Sequence, residues 1–232
     1  MKLEFTTTAC IRPELLDQTY SSLNKALVDV DLKTEGVLYI NIDPVPDSSE
    51  QAINEELEVA GSHFSEVHHR IGESGGNFSC AASWVLSQPK GEYFFNIEDD
   101  WLFDGEICIQ DAISEIESSK LPNIMQCCCW ESLEIEGKVW KARGNRFMLP
   151  PSLFKNSTLK PILKKHPIPA KENPERYYQK LRDNKLVEYY NTIHVKKGAK
   201  YIDIGRHWLK QSGYTQCRIK GVRNGFTKYK KT

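Results

Sequence analysis

The sequence has no run of roughly 18 uninterrupted apolar residues, the length a membrane-spanning helix requires. Its opening segment MKLEFTTTACIRPELL lacks the basic n-region and apolar h-region of a secretory leader. A cytoplasmic protein with no membrane partner is the expectation. The seven cysteines, at 10, 80, 108, 127, 128, 129 and 217, are odd in number and lack CxxC spacing. That argues against a disulfide framework and a zinc site, and for buried thiols in a reducing compartment. No internal repeat and no low-complexity linker interrupts the 232 residues, so a single domain over 1–232 is expected.

Net charge is lacking too, because 31 Lys+Arg balance 31 Asp+Glu. The balance conceals a separation. Residues 1–153 carry 11 Lys+Arg against 26 Asp+Glu, a net of −15, and residues 154–232 carry 20 against 5, a net of +15. The asymmetry suggests that the last third faces an anion, either a phosphorylated ligand or a nucleic acid, unless the two parts neutralise each other in the fold.

What is present is an alternation of strand-like and helical segments. Leu3 to Thr8 reads as a strand, and Pro13 opens a helix to Val30 through Leu16, Tyr20, Leu23 and Leu27. A second strand, Val37 to Ile42, ends at Asp43-Pro44. A helix near 50–60, a short strand at Val67 to Ile71, a glycine turn at 72, 75 and 76 and a helix from Asn77 follow. Tyr93 to Ile97 is a fourth strand, 105–118 a helix and Ile124 to Cys129 a fifth strand. Beyond 130 the pattern predicts β ribbons around 133–149, a helix after Pro174 and a last strand near Tyr201 to Ile204. This alternation predicts an α/β sandwich with a mainly parallel sheet, whose ligands bind beyond the carboxyl ends of the strands. That rule selects Thr7, Thr8, Asp43 and the trio Glu98-Asp99-Asp100.

Three adjacent carboxylates repel one another, and a hard divalent cation such as Mg2+ or Mn2+ relieves the repulsion with oxygen ligands. Strand alternation would aim Glu98 and Asp100 to one side and Asp99 to the other. A solvated acidic turn explains the trio equally well.

The segments FTTTACIRPELLDQTYSSL, GGNFSCAASWVLSQPKGEYFFNIEDDW and NRFMLPPSLF resemble the strand, helix and DxD-type segments of GT-A-fold nucleotide-sugar glycosyltransferases, near glycosyltransferase family 2 and its small phage forms. The resemblance covers roughly 3–154 well and the rest loosely, and it departs in reading EDD, with Glu98 at the usual first aspartate. It implies a donor and metal half over 1–130 and an acceptor half over 131–232, and a nucleotide-sugar donor, a UDP-sugar foremost. Thr7, Thr8 and Arg12 would contact the donor nucleotide and Asp43 its base. Glu98 and Asp100 would hold Mn2+ or Mg2+ and the donor, with Asp203 and His207 as further metal ligands and Arg206 as a diphosphate clamp. An inverting transferase needs a carboxylate base, for which Glu175 and Glu172 are the candidates. A glutamate in a first helical turn is also stabilised by the helix dipole in any protein.

The tail from Arg218 carries Lys220, Arg223, Lys228, Lys230 and Lys231 without an acid, interleaved with Phe226 and Tyr229. Cations that displace counterions and rings that stack on bases suit a nucleic-acid acceptor, although a solvated basic tail has the same composition. Together with the phage-type resemblance, this favours sugar addition to a hydroxymethylated pyrimidine base in DNA, in the host cytoplasm. Trp101, Trp130 and Trp140 are stacking candidates or core residues. A transferase acting on a surface polysaccharide or small glycan, and a non-catalytic nucleic-acid-binding module, are the other readings.

Overall fold

A computed structural model describes residues 2–45, 48–73, 76–141, 147–186, 190–212, 214–219 and 222–228, with side chains for all but 196–197, 214–219 and 222–228. The first elements are β1 (Leu3–Cys10), α1 (Pro13–Ala26), α2 (Leu32–Glu35), β2 (Gly36–Asp43), α3 (Glu50–His63) and β3 (Glu66–Ile71). Next come α4 (Phe78–Ser87), β4 (Tyr93–Glu98), β5 (Trp101–Asp104), α5 (Ile109–Ser118), β6 (Ile124–Ile135) and β7 (Lys138–Lys141). The rest are β8 (Ser152–Lys155), α6 (Asn156–Lys165), α7 (Pro174–Asp183), β9 (Asn191–Asp203), α8 (Gly205–Ser212), β10 (Tyr214–Ile219) and β11 (Val222–Lys228).

The main sheet runs β3-β2-β1-β4-β8-β6-β9-β5, with β7 paired to β6, and β10 and β11 form a separate antiparallel ribbon. From β3 to β4 every pairing is parallel. Beyond β4 the antiparallel partner β8 enters, and only β6 and β9 run parallel. The protein is an α/β sandwich with a large, mostly parallel central sheet. β1 and β2 are buried nearly throughout because helices cover both their faces. Leu16, Leu23, Phe64 and Ile116 from α1, the end of α3 and α5 pack into one core. Val85, Leu159, Tyr178 and Leu181 from α4, α6 and α7 fill the other.

Local signals set most element starts. Pro13 and Pro174 sit in first helical turns, and the side chains of Ser49, Asn77 and Asn173 accept backbone N–H bonds as N-caps. Helix α1 stops at Ala26, short of the expected Val30, because Leu27 becomes extended and bridges Ile107. Asp29 then accepts from the N–H groups of Ile109 and Gln110 (3.0 and 2.7 Å), so a distant carboxylate fixes where α5 begins. The ribbon expected near 133–149 is the β6–β7 hairpin, turned at Glu136 and Gly137 with φ of 51° and 73°; residues 142–146 lie outside the described part. The last strand is longer than expected, since β9 begins at Asn191. The six described cysteines whose side chains are resolved are free thiols.

Candidate active site

The carboxyl ends of β1, β2, β4 and β9 and the first turns of α7 and α8 surround a cleft of about 340 Å3. Six carboxylates line it, Asp43, Glu98, Asp99, Asp100, Glu175 and Asp203, against two guanidiniums, Arg12 and Arg206. It occupies the place where open α/β sheets bind ligands.

Asp43 closes β2. Its Oδ1 accepts from Asn41 Nδ2 (2.8 Å) and its Oδ2 from the backbone N–H of Asn77 (2.8 Å). Gly72 leaves it room, since a Cβ there would lie 2.0 Å from Asp43 Oδ1; Gly76, at φ 75°, packs on the same carboxyl. Burial raises the pKa of Asp43, and the Asn41 and Asn77 donors oppose the rise. Thr8 lines the cleft beside it. Thr7 does not: fully buried, it accepts from Tyr20 Oη (3.1 Å), so its expected donor contact is corrected to a role inside the sheet.

The acidic trio divides by role. Glu98 ends β4, and Asp99 and Asp100 make the turn into β5. Asp99, 3% exposed, takes Arg12 Nη2 on Oδ1 (2.5 Å) and Arg12 Nε and the Cys10 N–H on Oδ2 (3.1 and 2.9 Å). Arg12 also donates to Asp100 Oδ2 (3.1 Å) and stacks over Trp208. At 4% exposure, Arg12 lines the cleft while engaged by these two carboxylates. Beneath it lies Glu56, fully buried, whose Oε2 accepts the Arg12 N–H (2.9 Å) and whose Oε1 has no hydrogen-bond partner among the described residues. Burial pushes Glu56 up to about 8.

Asp100 lies so close to α8 that a Cβ on Gly205 would stand 1.9 Å from its Oδ2. Burial raises its pKa, Arg12 lowers it, and Asp99 raises it again. Glu98 accepts from Trp101 Nε1 (3.0 Å) and is pushed up to about 8 by burial and by the charge of Asp100, with Glu175 adding in the same sense. On the facing wall Arg206 donates to Asp203 Oδ2 through Nε (3.0 Å) and pairs with Glu136 through Nη1 (3.4 Å). Burial and the charge of Asp100 raise Asp203.

No group of three or more His, Cys, Asp or Glu side chains among the described residues is placed to hold a metal ion. The expected four-residue shell of Glu98, Asp100, Asp203 and His207 is therefore corrected. Asp203 is tied to Arg206, and exposed His207 lies outside the cleft with its ring 2.8 Å from Gln211 Nε2.

Glu175, in the first turn of α7, accepts the Leu149 N–H on Oε1 (2.9 Å) inside the cleft, and burial raises its pKa. Glu172 is outside the cleft and half-exposed, paired with Lys180 (3.4 Å), which corrects it as a base candidate. The tryptophans separate too. Trp130 is 3% exposed in the core, and Trp101 is 4% exposed with its ring N–H on Glu98, so neither offers a free stacking face. Trp140 is 57% exposed and lies opposite Leu133 on the hairpin, on the ribbon face that carries the cleft residue Ile135. In the tail, Arg218, Arg223 and Lys228 lie on the β10–β11 ribbon, which leaves α8 and returns beside α4. Lys220 and Lys230 fall outside the described residues. Sequence reasoning missed Asn41 and Gly205; the glycine after a strand-end aspartate was the one signal.

Neither a protein-family model nor a curated protein matches the sequence. Solved structures do. TarS 1–349 of S. aureus in complex with UDP-GlcNAc superposes with a TM-score of 0.59 at 15% identity, over 87% of this chain and 58% of that one. The mannosyltransferase PcManGT of Pyrobaculum calidifontis, in complex with GDP-Man and Mn2+, gives 0.55 at 9%, over 88% and 57%. The chain has the GT-A fold. It spans little more than half the length of those two chains. Another structure with the likeness, 4-diphosphocytidyl-2C-methyl-D-erythritol synthase of Anaerococcus prevotii, gives 0.51 at 9% over 84% and 90%. Identities this low establish the GT-A architecture alone. No helix among the described residues is long and apolar enough to cross a membrane.

Proposed function

We propose that the protein is a glycosyltransferase moving a sugar, with inversion, from a nucleotide-sugar donor to an acceptor hydroxyl. The donor is a UDP-sugar and the acceptor a hydroxymethylated pyrimidine base in DNA. One observation carries the reading: a single cleft brings together Asp43, the pair Glu98 and Asp100, and the half-buried carboxyl of Glu175 with its raised proton affinity. The neighbours' complexes with UDP-GlcNAc and with GDP-Man and Mn2+ support a nucleotide-sugar donor.

The donor set suits a hard divalent cation. Glu98 and Asp100 are oxygen ligands, the charge of Asp100 raises the pKa of Glu98, and Mg2+ or Mn2+ commonly takes one or two carboxylates and completes its shell with phosphate oxygens and water. When bound there, the cation stabilises the negative charge that builds on the departing diphosphate. Asp43 meets the base and Thr8 the nucleoside. Arg206 exchanges Glu136 for a phosphate oxygen, with two donors matched to phosphate geometry. Glu175, oriented by the Leu149 N–H, accepts the acceptor's hydroxyl proton as the new C–O bond forms and the sugar–phosphate bond breaks. Its elevated pKa makes it a stronger base than an exposed carboxylate.

The basic ribbon beside α4 and α8, both of which line the cleft, supports a polyanionic acceptor. The acidic wall favours a second reading, a neutral glycan acceptor, because six carboxylates against two guanidiniums repel phosphates not shielded by a cation. The test incubates the protein and Mn2+ with a panel of nucleotide sugars and with hydroxymethylated, methylated or plain DNA or a glycan, and reads added hexose mass. Transfer to hydroxymethylated DNA that falls steeply with salt supports the first reading. Salt-insensitive transfer to a glycan supports the second, and no turnover of any donor, with the cation or with EDTA, supports a binding module instead.

A further inference from the structure

We infer that β7 is the docking edge for the acceptor: an unpaired nucleic-acid strand leaves the cleft along it, with one base stacked on Trp140 and phosphates on Lys138 and Lys141. This rests on, and deepens, the reading of DNA as the acceptor. The sheet register shows how the cleft continues into this edge. On one face, Asp203, Ile135 and Lys138 stand in one cross-strand row, and Tyr201, Leu133 and Trp140 in the next. The first row begins in the cleft wall, with Asp203 and Ile135, and ends at Lys138 outside it. Trp140 is a diagonal neighbour of Ile135, about 7–8 Å away across the ribbon, so its ring serves the nucleotide beside the reacting one. Among the described strands β7 pairs with β6 alone, and its outer edge is open.

A lone exposed aromatic residue needs no explanation. This one has company. Val139 beside it is 60% exposed, and Lys138 and Lys141 flank the pair, both exposed and neither joined to a carboxylate among the described residues. The hairpin's own acids are taken elsewhere: Glu134 by Lys200 of β9 (2.5 Å), and Glu136 by Arg206 and Lys210 of α8 (3.4 Å each). Only Glu131, before the paired stretch, is left. In sequence, KVWKARGNR from 138 to 146 holds four of the eleven Lys+Arg of residues 1–153 and no acid; the proposed edge is its described part, Lys138–Lys141. A ring between cations suits a polyanion that also carries flat faces. Bases in a duplex already stack on their neighbours, so an exposed ring gains most from an unstacked base. A neutral glycan can lay a sugar on Trp140, but it has no use for the lysines.

The test measures fluorescence anisotropy, over a salt series, of three labelled probes: a single-stranded oligodeoxynucleotide carrying a hydroxymethylated pyrimidine, the same strand in a blunt duplex, and a neutral oligosaccharide. The wild type should bind the single strand more tightly than the duplex. Trp140→Ala should weaken single-strand binding about tenfold or more, the scale of one lost base–ring stack, and Trp140→Phe should keep most of the affinity. The double variant Lys138→Gln with Lys141→Gln should lower the slope of log affinity against log salt by about 1.4, which is two phosphate contacts on a single strand. All three side chains are exposed, so thermal unfolding midpoints should not move. Unchanged single-strand affinity in Trp140→Ala, equal losses in Trp140→Phe and Trp140→Ala, an unchanged salt slope in the lysine variant, or a wild type that binds the duplex as well as the single strand would overturn the assignment while leaving DNA as the acceptor. A wild type that binds the oligosaccharide independently of salt and neither form of DNA, or none of the three probes, would overturn the acceptor reading, and the assignment with it.

Discussion

On the flank built by β1, β2 and β4, donors from within the protein hold the carboxylates that reach the cleft: Asn41 and Asn77 on Asp43, Arg12 and the Cys10 N–H on Asp99, Arg12 again on Asp100. On the flank built by α7, β9 and α8, Glu175 takes one backbone N–H, and Arg206 is shared between Asp203 and the half-exposed Glu136 at the hairpin tip. The first flank is organised before any ligand arrives, because its charges are buried and must be paired. The second keeps groups that can exchange protein partners for ligand, which is what a base and a phosphate clamp require.

The comparison is broken most directly at Asp100. Asp100→Asn should lower sugar transfer about a thousandfold or more under saturating Mn2+, the scale of losing a main electrostatic contact to the departing group; near-normal turnover would remove the metal assignment. Arg12→Met should leave folding rather than chemistry as the first casualty. It strands the buried Asp99 charge, at a cost of about 3–5 kcal/mol in urea unfolding, and the double variant with Asp99→Asn should recover most of that. Glu175→Gln should reduce kcat about a hundredfold or more while donor KM holds, since only proton transfer is lost; equal loss in both parameters would make Glu175 a structural cap.

The smallest effect concerns Glu56. Its folded pKa of about 8 lies above the usual 4.5, so the folded state holds the proton more tightly than the unfolded chain. That stability is fully present below about pH 4.5 and is lost as pH rises through 8. Glu56→Gln, which mimics the protonated acid, should match the wild type near pH 5 and exceed it by about 1 kcal/mol or more near pH 8. Parallel stability curves would show that the carboxyl does not carry its proton in the fold.

The pre-organised flank was the legible one. Its strands and helices announce themselves through short-range periodicity and through Pro13 and Asn77, and the positions after the strands, Asp43 and Asp100, fall in the cleft as expected. The role of Asp99 was not legible, because its partner Arg12 stands 87 residues earlier. Whether Trp101 stacks or packs was not legible, because the strand it opens, β5, is defined only by pairing with β9 near Asp203. Strand β8 and helix α6, which contains Pro161, carried no strong local signal and are placed by partners far off in sequence. Glu172 and Glu175 share one segment, and only the fold shows that one enters the cleft while the other pairs with Lys180 outside it.

A crystal structure of the protein with UDP and Mn2+ tests the central claim most directly. The account requires the diphosphate to lie between Asp100 and Arg206, the uracil N3–H on Asp43, and the Glu175 carboxyl on the side opposite the phosphate. A nucleotide bound outside this cleft, with Glu98 and Asp100 turned to solvent, would contradict it.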